Sequence, residues 1–85
     1  MTLTEPNAGT TAKQTTLDAR GLKCPMPIVK TAQAIKNVVA GELLEVLTTD
    51  PGAVADFAAW SRATGNDIVE QNIQDGVYRF VLRRK

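Results

Sequence analysis

One sulfur atom carries most of the chemistry open to this chain. Cys24 is the only cysteine among 85 residues, and the sequence contains no histidine. Without histidine, Ser-His and Cys-His catalysis are excluded, together with most transition-metal sites. One thiol leaves zinc almost nothing to bind, and no calcium-loop spacing occurs, so neither a metal nor a cofactor is expected. A single cysteine forms no internal disulfide, which fits a reducing compartment.

Cys24 lies in the run Leu17-Asp18-Ala19-Arg20-Gly21-Leu22-Lys23-Cys24-Pro25-Met26-Pro27. Pro25 suits the first turn of a helix, which puts Cys24 at the expected N-cap, facing the positive end of the helix dipole. Arg20 and Lys23 are cationic neighbours in sequence. Cysteines in such settings have lowered pKa values and stay partly exposed, so a depressed pKa is the expectation. Pro25 and Pro27 stiffen the turn that presents the sulfur, but they also remove two N–H donors from the helix start. A sulfur anion would therefore lean on the N–H groups of Cys24 and Met26 and on nearby cations. Such a site displays sulfur rather than gripping an anion.

With no second thiol to resolve a mixed disulfide, a sulfur-loaded Cys24 cannot discharge within its own chain. It exchanges sulfur only with the thiolate of another molecule, as a carrier must. The competing reading of a lone cysteine is a small buried hydrophobe with no chemistry.

The elements that position this cysteine follow from periodicity and punctuation. Thr15 to Asp18 is a short strand. Pro25 to Val39 reads as a helix with Ile28, Ala32, Ile35 and Val39 on one face, ended by Gly41. Glu42 to Thr48 is a strand. Asp50-Pro51 is a helix start, with Asp50 as cap and Pro51 at the first helical position. That second helix runs to about Thr64, with Val54, Phe57, Ala58 and Ser61 on one face and Trp60 towards its edge, and Gly65-Asn66 stops it. Asp67 to Gln74 and Val77 to Arg84 are strands joined by Asp75-Gly76, a type I′ hairpin signal. The order β-α-β-α-β-β predicts an α/β (α+β) two-layer sandwich: a four-stranded mixed sheet with two helices on one face. The first two crossovers should be right-handed and join parallel strands. Strand order stays open.

Residues 1–14 are polar and rich in Thr, Gly, Asn and Pro, and are expected to be a disordered tail before one domain over residues 15–85. The chain has the composition of a soluble globular domain, 44% hydrophobic and 22% charged. Lacking a long apolar run or a secretory h-region, it is expected to be cytoplasmic, with no membrane partner. Net charge is +1, but its distribution is uneven. Arg20, Lys23, Lys30 and Lys36 face no carboxylate between Ala19 and Gly41, whereas Glu42 to Asp75 holds seven acids against Arg62 alone. These are either solvated faces or a basic surface around Cys24 that steers an acidic partner.

The run from Leu17 to Pro27, with its Cys-Pro-x-Pro, resembles the signature of the TusA/SirA family of sulfur carriers. The resemblance extends from Thr15 to Lys85 and takes in Thr49-Asp50-Pro51 and the closing Tyr78-Arg79-Phe80 and Arg83-Arg84-Lys85. It implies a two-layer α/β sandwich. It implies that Cys24 accepts sulfur as a persulfide from a cysteine desulfurase or a rhodanese-like enzyme. An acceptor, often DsrE-like or TusD-like, then takes the sulfur. Family members serve tRNA thiolation, sulfur oxidation, molybdenum-cofactor assembly or thiosulfate-linked sulfur supply, and the polar N-terminal extension distinguishes this chain from shorter members. On this reading the site comprises Cys24 as the persulfide-bearing thiolate, supported by Arg20, Lys23, Pro25, Met26, Pro27 and Asp50. The carrier would take part covalently in sulfur transfer without turning over a small molecule of its own. Nothing demands more than a monomer.

Two other functions stay open at this level. The predicted arrangement resembles the C-terminal domain of translation initiation factor three, and Arg83, Arg84 and Lys85 lend support to an RNA-binding module. An acidic middle and few interleaved aromatics oppose it, and direct nucleic-acid contact is not expected. The third reading is a structural or regulatory partner with an inert Cys24.

Overall fold

A computed structural model describes residues 13–85. Most of the expected tail, residues 1–12, lies outside the described residues. Strand β1 spans Gln14–Ala19, one residue ahead of its expected start. It is followed by α1 (Met26–Ala34), a 3-10 turn (Ile35–Asn37), β2 (Leu43–Thr48), α2 (Ala53–Thr64), β3 (Asp67–Gln74) and β4 (Val77–Arg83). The sheet order is β1-β2-β4-β3. β1 and β2 are parallel, with Ala19 opposite Thr48 at their C-terminal ends. β4 is antiparallel to both β2 and β3, so the sheet is mixed and β4 separates β2 from β3. The α+β architecture is the one expected.

Period-2 alternation sorts the side chains of β2. Leu44, Val46 and Thr48 are buried, while Leu43, Glu45 and Leu47 turn to the other face. Register carries the buried row across the sheet: Leu17 opposite Val46 on β1, and Leu82, Phe80 and Tyr78 opposite Leu44, Val46 and Thr48 on β4. Both helices cover this row, through Ile35 and Val38 after α1 and through Ala53 and Phe57 on α2. Phe57 stacks on Phe80 with ring centroids 4.4 Å apart. Burying one side chain of that size contributes roughly 1.5–3 kcal/mol. In β3 the register shifts between Ile68 and Glu70, which leaves Val69 as the extra residue of a bulge.

Two helical faces differ from expectation. α1 ends at Ala34 and tightens into the 3-10 turn, and Val38 is then extended (φ −94°, ψ 131°). This departs from the 3.6-residue period, so Val38 is buried (4% exposed) and Val39 faces solvent (63% exposed). Consecutive β-branched residues at 38 and 39 favour that extended exit. The Arg84 guanidinium donates to the carbonyls of Lys36 and Val38, serving acceptors left open where the helical segment ends. On α2 the buried stripe is Ala53 and Phe57 with Trp60 packed beside them, and Val54 is 39% exposed rather than part of the inner face.

Gly41, expected to end the first helix, instead lies in the turn from Val39 to Glu42 that leads into β2, because the helical segment stops at Asn37. The signals at Gly65 and Asp75-Gly76 hold. Gly65 closes α2 in the left-handed region (φ 80°), its N–H donating to the Ser61 carbonyl. Asp75 (φ 52°) and Gly76 (φ 78°) are both left-handed, as a type I′ hairpin requires. Among the described residues no helix is long and apolar enough to cross a membrane.

Candidate functional site

Parallel pairing of β1 with β2 brings two loops side by side. The chain leaves both strands at the same sheet end, so the turn before α1 and the turn before α2 are neighbours. Gly21 N–H donates to Thr49 Oγ1 at 2.9 Å. Cys24 N–H donates to Asp50 Oδ2 at 2.9 Å, and the Cys24 thiol donates to Asp56 Oδ2 at 2.9 Å. Three short bonds thus tie the cysteine turn to the start of α2.

Cys24 is exposed and free. It stands one residue before the N-cap of α1, which is Pro25 and not Cys24 as expected. The Cys24–Pro25 peptide bond is cis. Met26 is the first helical residue and is exposed, and Pro27 is buried beneath it. The N–H groups expected to support a sulfur anion are both engaged: Cys24 N–H with Asp50, and Met26 N–H with the Lys23 carbonyl at 2.8 Å.

Asp50 does not cap α2 itself. Its Oδ1 accepts Gly52 N–H at 3.2 Å and its carbonyl accepts Ala53 N–H at 3.0 Å, closing the Pro51-Gly52 turn that leads into α2. Asp50 is therefore both the organiser of that turn and the anchor for the Cys24 backbone.

The expected cationic setting does not form at the thiol. Arg20 is committed to Asp18 through a two-point ion pair (2.8 and 3.0 Å), with Arg20 N–H adding a third bond to the same carboxylate. That pairing lowers Asp18 to a pKa of about 2 and raises that of Arg20. Lys23 lines a cleft beside Cys24. The groups acting on the sulfur are acidic. The hydrogen bond to Asp56, then lost hydration, then the charges of Asp56 and Asp50 push the Cys24 thiol above its ordinary pKa. The expected depression is thus reversed, because two carboxylates stand where the helix dipole and cations were to act. Asp56 is the site residue that sequence reading missed. Its signal was an acid in the first turn of a helix, ordinarily explained by the dipole alone.

Ligand atoms of Cys24, Asp50 and Asp56 lie within 4.8 Å of one another. Each carboxylate is held there by a hydrogen bond from Cys24, Asp50 through the backbone N–H and Asp56 through the thiol.

Cys24 joins two depressions. One, of about 450 Å³, is bounded by Gly21, Leu22, Lys23, Thr49, Asp50 and Pro51. The other, of about 380 Å³, is a groove between the helices bounded by Pro25, Ile28, Asp56, Ala59, Trp60 and Ala63. Trp60 is fixed edge-on to Phe57 at 6.3 Å, so the groove wall is anchored in the core. Met26, Val29 and Val54 are exposed apolar residues on the same two helices. An exposed thiol between two depressions is open to a thiolate or sulfane sulfur of another molecule.

The basic C-terminal segment is mostly occupied within the fold. Arg79 pairs with Glu45 and Glu70, Arg83 with Asp67, and Arg84 with the carbonyls near the end of α1.

A family model described as "Sulfurtransferase TusA" matches residues 15–84. The "Putative sulfur carrier protein YrkI" of Bacillus subtilis is 44% identical over 68 residues, covering 80% of this chain and 91% of that protein. The "Putative sulfur carrier protein YrkF" of the same organism is 46% identical over 68 residues, and there the match spans only 37% of the relative's length. The "Sulfur carrier protein TusA" of Allochromatium vinosum is 38% identical, covering 80% of this chain and 90% of that protein. Among solved structures, a SirA-like protein from Desulfitobacterium hafniense superposes with a TM-score of 0.71 at 24% identity, covering 80% of this chain and 93% of that one, a likeness of fold.

Proposed function

This chain belongs to the TusA family of sulfurtransferases, whose relatives are named sulfur carriers, and from that premise we propose that Cys24 carries sulfane sulfur as a persulfide between two proteins. The observation that carries the reading is the placement of the chain's one thiol: exposed, held by its backbone to Asp50, and open to a depression on either side. A cysteine desulfurase or a rhodanese supplies the sulfur, and an acceptor of the DsrE-like or TusD-like kind removes it. Cys24 attacks the donor's terminal sulfur, the donor thiol leaves, and an acceptor thiolate later repeats the exchange in the opposite sense. No second cysteine competes for the load. Pro25 and Pro27 stiffen the turn, while Lys23 and Met26 flank the sulfur where a partner docks. The protein works in the cytoplasm, and its donor and acceptor decide whether the sulfur serves tRNA thiolation, sulfur oxidation or cofactor biosynthesis.

The test is intact-protein mass spectrometry after incubation with a cysteine desulfurase and cysteine, repeated with a rhodanese and thiosulfate. One added sulfur mass, removed by dithiothreitol and absent from Cys24→Ser, is the expected result. Failure of both donors to load the unmutated chain overturns the carrier reading.

A further inference from the structure

The contact between Cys24 and Asp56 has no part in a simple carrier. A carrier that only needed a reactive thiolate would gain from a nearby cation, yet the thiol points its proton at a carboxylate 2.9 Å away on α2. Asp56 is half-buried in the groove wall with Ile28, Ala59 and Trp60, so its carboxylate is held on the side of Cys24 that faces the helices. Asp50, reaching in from the turn before α2, adds a second negative charge, and Lys23 is the cation beside Cys24 in its own turn.

We propose that Asp56 is a positioning residue that latches the empty carrier: it accepts a hydrogen bond from the Cys24 thiol, holds the unloaded sulfur turned onto α2, and releases it once the sulfur is loaded. The inference rests on the carrier reading and adds its regulation. The chemistry of loading is what makes the latch selective. Cys24–S–H and a donor R–S–S–H give Cys24–S–S–H and R–S–H. One sulfur–sulfur bond forms at Cys24 Sγ, the donor's sulfur–sulfur bond breaks, and the departing donor sulfur takes up the proton that Sγ gives away. The transferred sulfur keeps its oxidation state, so no oxidant or reductant is needed. After the exchange, Sγ has no proton to donate to Asp56. A persulfide is also a stronger acid than a thiol, so the outer sulfur tends to an anion that the carboxylates of Asp56 and Asp50 repel. The empty protein is thereby quiet towards stray electrophiles, and the loaded sulfur turns out to the acceptor.

The experiment is the pH profile of iodoacetamide alkylation of the unloaded full chain, for the unmutated protein, Asp56→Asn and Asp56→Glu. The unfolded chain in urea gives the reference for an unrestrained thiol. The expected result is a native midpoint above that reference, a lower midpoint in Asp56→Asn, and return towards the native midpoint in Asp56→Glu. At neutral pH, Asp56→Asn should react roughly three- to tenfold faster, the weight of one exposed charge-assisted hydrogen bond. Circular dichroism on each variant verifies that the fold persists. Coincident profiles for the unmutated chain and Asp56→Asn overturn the latch, and if the unmutated chain still loads sulfur from a desulfurase the carrier reading survives that result. A shifted profile in a chain that no donor loads overturns both the carrier and the load-sensing role.

Discussion

Asp50 accepts the backbone N–H of Cys24 at 2.9 Å across a sequence separation of 26 residues. One carboxylate thereby joins the turn that presents the sulfur to the turn that starts α2, because its other oxygen holds Gly52 N–H. Neither turn is regular structure, so each depends on such bonds for its shape.

Asp50→Ala should remove both bonds and loosen both turns. The expected loss is about 1–2 kcal/mol of folding stability, read by urea denaturation. Amide exchange at Cys24 and Gly52 should quicken more than exchange in β2 or β4. Unchanged exchange at both amides would show that the bridge holds nothing.

Cys24→Ser should be nearly neutral for folding, within about 0.5 kcal/mol, because the side chain is exposed and a hydroxyl can still donate to Asp56. On the proposed function the same variant takes up no sulfur. A variant that unfolds would assign Cys24 a structural role instead.

Asp18 should titrate at about 2 in a carbon-detected NMR experiment, held there by its hydrogen bonds to Arg20. Arg20→Ala should return it towards the ordinary 3.8. The sign follows from linkage: a carboxylate whose pKa falls on folding supports the fold above its unfolded pKa, and that support is lost as pH drops through the folded value. The pair's effect is therefore present at neutral pH and vanishes between about 4 and 2. Both partners are half-exposed, which keeps its energy small.

Phe57→Ala should cost roughly 3–5 kcal/mol, since Phe57 is fully buried and stacked on Phe80. A domain of this size has little more than that to lose. Loss of Phe57 also frees Trp60, so Trp60 fluorescence should shift along with the fall in melting temperature. A melting temperature unchanged by the substitution would contradict the packing described.

Much of the fold was legible in the chain because its signals are local. Asp75-Gly76 demanded left-handed φ at both turn positions, and Gly65 ended α2. Which face of β2 goes inside was not legible, because Leu43, Leu44, Val46 and Leu47 are all apolar. The face of α1 was legible only as far as Ile35. Whether Val38 or Val39 goes inside depends on how the chain leaves the helix, and Arg84, 46 residues beyond Val38, takes part in that exit.

By itself the sequence determined the kinds of element, their order, and the chemistry available: one thiol, no histidine, and two prolines that stiffen the turn around it. Those follow from residue types and short spacings. Tertiary structure alone decided that β4 lies between β2 and β3, that Arg20 serves Asp18, and that Cys24 faces Asp56 and Asp50. Each is a meeting of segments, set by strand register and helix packing. The direction of the thiol's pKa turned on such a meeting. A helix start and two flanking cations pointed down, but Ala19 lying opposite Thr48 brought a second helix start, with its carboxylates, against the sulfur. A carboxylate hydrogen-bonded to the sulfur at 2.9 Å from another element outweighs cations that are neighbours in sequence, of which Arg20 is committed to Asp18.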